Sequence, residues 1–127
     1  MNANIENKSF TAVAIHTAAI AGEWIKSKQG EISSLSTKSS AHDLVTEVDK
    51  GAETMIRRLL LTYFPNHSFL GEESTKLNFE DPVRTMKKLR QIEYLWIVDP
   101  IDGTTNFVHG FPFYSVSIAP AHRGEII

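Results

Sequence analysis

Tyr94-Leu95-Trp96-Ile97-Val98-Asp99-Pro100-Ile101-Asp102-Gly103-Thr104-Thr105-Asn106 is the stretch on which the fold turns. Its first five residues form an unbroken apolar run, too short to cross a membrane and flanked by acidic groups. This predicts a strand in the middle of a sheet, ending on Asp99. Two aspartates follow, with Pro100 between them and Gly103 behind. An ordinary turn accounts for such residues: Pro100 fixes φ, Gly103 permits a positive φ, and Asp102 caps the next segment. A second reading gives them chemistry. A strand end projects carboxylates rigidly into the cleft beyond a sheet, and Asp99 and Asp102 are hard oxygen donors of the kind Mg2+ takes alongside water and a phosphate. The Ile101 carbonyl can join them. The amides of Gly103 and Thr104 would open a short helix or turn, which gathers N–H donors and partial positive charge where a phosphate can sit.

Upstream of this stretch, a short apolar run at 68–70 predicts a second strand, delivering Gly71-Glu72-Glu73 at its end. Adjacent glutamates are ordinarily a solvated face, but the preceding run places these at a strand terminus. Asp81-Pro82 reads as an N-cap and first-turn pair for a short helix to about residue 90. Further back, Thr46 can cap a helix, with Asp49 reaching back to its amide. Val48, Ala52, Met55, Ile56, Leu59, Leu60 and Tyr63 make one apolar face, closed by Pro65 and Asn66. Residues 31–43 lack any period and predict an exposed connection. A first amphipathic helix spans residues 9–28, with Gly30 as its stop. Downstream, 114–119 predicts a strand, and Arg123-Gly124 a hairpin turn into Glu125-Ile126-Ile127. Trp24 and Trp96 lie on apolar faces and are expected in the core.

Composition bounds the rest. The 127 residues are 42% hydrophobic and 22% charged, which suits one globular domain with its own core. There is no cysteine, so metal ligands must be oxygen or imidazole, and the reducing cytoplasm is the expected compartment. His16, Thr17 and Glu23 interrupt the N-terminal apolar stretch, and no basic leader with a cleavage site precedes it, so neither a signal peptide nor a membrane span is expected. A formal net charge of -2 with scattered Lys and Arg offers no broad surface for a nucleic-acid backbone. A small anionic ligand would need a local device instead.

Gly71-Glu72-Glu73-Ser74, followed by 96–107 with its Asp99-Pro100-Ile101-Asp102-Gly103-Thr104-Thr105-Asn106 core, resembles the inositol monophosphatase family. Lys38-Ser39-Ser40 and 43–49 are similar to that family's N-terminal segment, so the resemblance runs along nearly the whole chain. It implies an α/β fold, a layered helix-sheet sandwich, and magnesium-dependent hydrolysis of a small phosphate monoester. Inositol monophosphate stands first among the substrates, ahead of sugar bisphosphates and nucleotide 3'-phosphates. By the same resemblance, Glu72, Asp99 and the Ile101 carbonyl hold one Mg2+, and Asp99 and Asp102 a second. Glu72, Thr104 and Asp49 attend the attacking water. Asp102, Gly103 and Thr104 attend the substrate and its phosphate, and Lys38 belongs to a loop over the site. Such chemistry has a coherent physical basis, since a cation acidifies water and offsets leaving-group charge without a covalent intermediate. His109 and His42 are expected to be structural or solvated rather than catalytic.

Family members are longer, and their C-terminal half supplies a further aspartate and most contacts to substrate hydroxyls. Residues 1–127 therefore read as the N-terminal, metal-binding portion of such a domain, apparently truncated, with poor or no turnover expected from it alone. The competing function is a non-catalytic binding or regulatory module, because some relatives are similar to proteins with roles in transcription and RNA processing. Expected partners are a small phosphorylated polyol and, by family habit, a second copy of the chain in a homodimer; direct nucleic-acid contact and membrane association are not expected.

Overall fold

The structure is a computed structural model that describes residues 3–33, 38–71 and 82–127, with side chains described for 9–31, 42–71 and 82–127. Elements follow in the order α1 (Ala3–Ser33), α2 (Lys38–Tyr63), β1 (Ser68–Gly71), α3 (Pro82–Gln91), β2 (Tyr94–Asp102), α4 (Thr104–Val108), β3 (Ser115–His122) and β4 (Glu125–Ile126). The four strands form one sheet in the order β1-β2-β3-β4, with β1 parallel to β2 and the remaining pairs antiparallel. The apolar run at 94–98 is thus an interior strand, hydrogen bonded on both sides, as its lack of alternation requires.

Helices α1 and α2 pack together over one face of this sheet. Trp96 and Val98 of β2, with Val116 and Ile118 of β3, face them, because residues two apart on a strand share a side. The core has two adjoining parts. Phe10, Ala21, Ile56, Leu60, Trp96 and Val98 form one; Ile25, Val45, Val48, Ala52, Ile101 and Phe107 form the other, nearer the end of β2. This second part attaches the 99–107 segment to both helices.

Several boundaries differ from the sequence expectation: α1 starts at Ala3 rather than residue 9, and β3 runs on to His122 rather than ending at 119. α1 does not stop at Gly30 but continues to Ser33, since a glycine inside a helix costs only about 0.5–1 kcal/mol and the docking of Ile25 and Gln29 nearby offsets it. α2 begins at Lys38, two turns before Thr46, so part of the predicted connection is helical. Thr46 is no cap: its hydroxyl donates to the His42 carbonyl four residues back, at 3.1 Å. Burial of Val45, with Leu44 packed beside it, draws this turn into the helix. β2 does not end on Asp99 but runs through Asp102. The Arg123-Gly124 turn is present, with φ of 50° and 85°, the signature of a two-residue hairpin with both central residues left-handed. The Asp81 cap lies outside the described residues.

Around Trp96, which is fully buried, Phe10, Phe64 and His67 gather at ring separations of 6.0, 5.8 and 6.3 Å. The indole N–H donates to His67 Nδ1 at 3.0 Å. His67→Leu would leave that donor buried without an acceptor, a loss of about 1–3 kcal/mol. Urea denaturation should show the drop, with His67→Gln, which can still accept, retaining more of the stability.

Candidate metal and phosphate site

β2 carries the site at its C-terminal end, and an irregularity in its pairing sets the geometry. Asp99 faces Ser117 and Asp102 faces Ser115, so β2 advances three residues while β3 advances two. In a regular strand, residues three apart point to opposite faces. One extra residue restores the parity, which makes this a β-bulge that sends both carboxylates to the same side. The burial pattern agrees: Pro100 and Ile101, consecutive in sequence, are both buried, whereas Asp99 is half-buried and Asp102 exposed. A proline is tolerated here because a bulge leaves a ladder position without a hydrogen bond. Ile101 places its side chain in the core beside Val48 and Phe107, so only its main chain can serve the site.

The electrostatics follow from that placement. Burial pushes the Asp99 carboxyl above the usual carboxylate range, the neighbouring Asp102 charge raises it further, and a hydrogen bond from the Ile101 backbone pulls the other way. Asp99 Oδ1 is buried and has no hydrogen-bond partner among the described residues. A buried carboxylate oxygen without a donor, beside a second carboxylate, suits a hard divalent cation. Among the described residues, no third acidic or imidazole side chain completes a cluster, and Glu72 lies outside them.

Gly71 ends β1 in parallel register with Val98, so the chain leaves β1 level with the residue before Asp99. A side chain at Gly71 would collide with the Glu53 carboxylate, which reaches across from α2. Glu53 is buried and was not singled out in the sequence. Its spacing of four from Asp49, one turn along the same helix face, was the available signal.

After Asp102 the chain turns through Gly103, which caps α4 in the left-handed region at φ 98°. A Cβ there would also stand 2.9 Å from the Phe113 carbonyl, so glycine is required twice over. α4 begins at Thr104 and is held by Phe107, fully buried. Its first amides lack intrahelical acceptors, as at any helix start. Asp99, Ile101, Asp102, Gly103 and Thr104 thus follow one another through a single corner, and Asp49 is buried on α2, the helix packed against β2 and α4. Lys38, expected on a loop, instead opens α2, and its side chain is outside the described residues. His109 Nδ1 lies 2.9 Å from the Thr105 carbonyl, within the turn that ends α4; His42 is exposed.

Gln29 of α1 also reaches this corner, without any local motif to announce it. Its Nε2 donates to the carbonyls of Phe107 and Phe111, each at 3.3 Å, and its Oε1 accepts from the Tyr114 hydroxyl at 3.4 Å.

Comparison with known proteins places this architecture. A family model for the inositol monophosphatase family matches residues 6–127. The inositol monophosphatase of Mesembryanthemum crystallinum is 43% identical over 118 residues, covering 93% of this chain and 41% of that protein. The Nus factor SuhB of Pseudomonas aeruginosa is 36% identical over 115 residues, covering 90% of this chain and 40% of its own length. Among solved structures, the extragenic suppressor protein SuhB of Bartonella henselae superposes with a TM-score of 0.70 at 33% identity, over 94% of this chain and 41% of that one. The chain spans about two fifths of the length of these relatives.

Proposed function

This chain belongs to the inositol monophosphatase family, and on that premise we propose that it contributes the metal and phosphate end of a magnesium-dependent phosphomonoesterase. The observation that carries the reading is the bulged pair Asp99 and Asp102, on one side of β2, with Asp99 Oδ1 buried and unpartnered among the described residues. Glu72, Asp99, the Ile101 carbonyl and Asp102 are the groups that would hold Mg2+. When bound, the ion supplies Lewis acidity, favouring deprotonation of water and offsetting charge on the leaving oxygen.

The remaining work belongs to the chain. Glu72, Thr104 and Asp49 orient the attacking water, and the Gly103 and Thr104 amides donate to the phosphate oxygens. Asp102 would help bind the substrate, and Lys38 would add positive charge at the approach. No covalent enzyme intermediate is needed, because water attacks phosphorus in line and positioning with electrostatics does the rest. The substrate we assign is a small phosphorylated polyol, inositol monophosphate first, and the compartment the cytoplasm. No helix among the described residues is long and apolar enough to cross a membrane.

The test is calorimetric titration of Mg2+ into the purified chain, with and without inositol monophosphate, alongside an assay of released phosphate. Magnesium binding that strengthens with the ester supports the reading; a folded chain that takes up no magnesium overturns it. Protons compete with the cation for a carboxyl whose affinity for them is raised. Magnesium should therefore bind more weakly at pH 5 than at pH 7.5, and calorimetry at the two values checks it.

A second reading, a binding or regulatory module, draws support from the similarity to the protein named Nus factor SuhB. It separates from the first by Asp99→Asn, which should spare partner binding while removing magnesium affinity.

A further inference from the structure

We propose that Gln29 is a positioning residue that fixes the orientation of the Gly103-Thr104 turn from the opposite end of the sequence, an inference that rests on the phosphatase reading of that turn. Gln29 lies 78 residues before Phe107 and 82 before Phe111, yet its side-chain amide donates to both carbonyls while its oxygen accepts from Tyr114. One planar group thus ties the C-terminal half of α4, the loop after it and the entry to β3.

That loop bears directly on the turn. Asn106 Nδ2 donates to the Phe113 carbonyl at 2.9 Å, and the Phe111 amide donates to the Asn106 carbonyl at 2.9 Å. The Phe113 carbonyl in turn stands against Gly103, filling the space a side chain would need. A shift of the loop therefore moves Gly103, and with it the amides that face the phosphate. α4 has five residues, too few to hold its own geometry, so its direction depends on Phe107 from below and on the loop at its end. The Phe111 carbonyl lies near solvent, where water can replace a lost donor, and the buried Phe107 carbonyl still accepts from the Gly110 amide at 3.2 Å. Removing Gln29 should consequently loosen this corner without greatly lowering global stability.

Gln29→Glu tests this, since it is nearly isosteric, keeps an acceptor for Tyr114 and exchanges the donor for a carboxylate facing two carbonyls. Amide hydrogen exchange in the 127-residue chain should quicken roughly three- to tenfold at Phe107, His109, Gly110 and Phe111 while the β2 amides hold their rates. In the presence of Mg2+, inorganic phosphate should bind roughly three- to tenfold more weakly, with magnesium affinity unchanged. Tyr114→Phe removes only the third hydrogen bond and should have a smaller effect on both. Unchanged exchange, or equal acceleration throughout β2, would overturn the positioning role. A wild-type chain that binds magnesium but no phosphate would defeat the phosphatase reading instead, and the exchange pattern would still decide for or against Gln29.

Discussion

Asp99→Asn is expected to abolish the response to magnesium while leaving the metal-free chain more stable than wild type. The two halves of this result share one cause. In the folded chain, burial and the Asp102 charge raise the Asp99 carboxyl above its ordinary value. A carboxyl raised in this way holds its proton more tightly folded than unfolded. Its contribution to stability is full below the unfolded value of 3.8 and is lost as pH rises through the folded one. At neutral pH the ionised group therefore opposes folding, and asparagine, which does not titrate, removes that opposition. The same substitution deletes an anionic oxygen that the cation requires, so magnesium affinity should fall by at least about a hundredfold. With magnesium at a hundred times the wild-type dissociation constant, the wild-type chain should gain about 2.7 kcal/mol and the variant almost nothing. Thermal melts with and without Mg2+ measure both arms. A variant that melts lower than wild type without metal, or still gains from magnesium, would contradict the assignment of Asp99.

Phe107→Ala should lower stability by about 3–5 kcal/mol, the range for emptying a fully buried aromatic site. The ring is enclosed by Ile25, Val45, Val48, Ala52 and Ile101, and meets Tyr114 edge-on at 5.1 Å between centroids. These neighbours come from two helices and a strand whose backbones cannot easily collapse inward. Against a total of about 5–15 kcal/mol for a typical domain, the loss is large enough to leave much of the population unfolded in mild urea. Phe107→Leu, which keeps most of the apolar volume, should recover most of it. Chemical denaturation at constant slope gives the comparison. Phosphate binding should weaken with the alanine variant as well, since Phe107 is the fully buried side chain of α4 and only the half-buried Val108 packs beside it.

Much of this protein was legible from local pattern. The uninterrupted apolar run at 94–98 predicted an interior strand, and β2 lies between β1 and β3. Arg123-Gly124 predicted a hairpin, and both residues have positive φ. The motifs at 71–74 and 96–107 pointed to a family, and the match over residues 6–127 establishes it. Helix ends were read less well. The stretch 38–45 has no glycine or proline but carries two serines, a histidine and an aspartate, all weak helix formers, so its local preference is weak. Packing of Leu44 and Val45 against Ile25, Ile101 and Phe107 decides that it is helical.

The chain's own residues determined which groups could do chemistry: oxygen donors without thiols, two aspartates three apart, and a glycine able to take a positive φ between strand and helix. Those properties belong to side chains and to single φ angles, so they are present in the sequence before anything folds. Whether the two aspartates cooperate was decided elsewhere. In a regular strand they would face opposite ways, and only the partner strand, offering two residues against three, forces the bulge that aligns them. The same holds for Glu53 against Gly71 and for Gln29 across the α4 corner. Each depends on a group far away in the chain, and a contact of that kind comes into being only when helix and sheet are packed together.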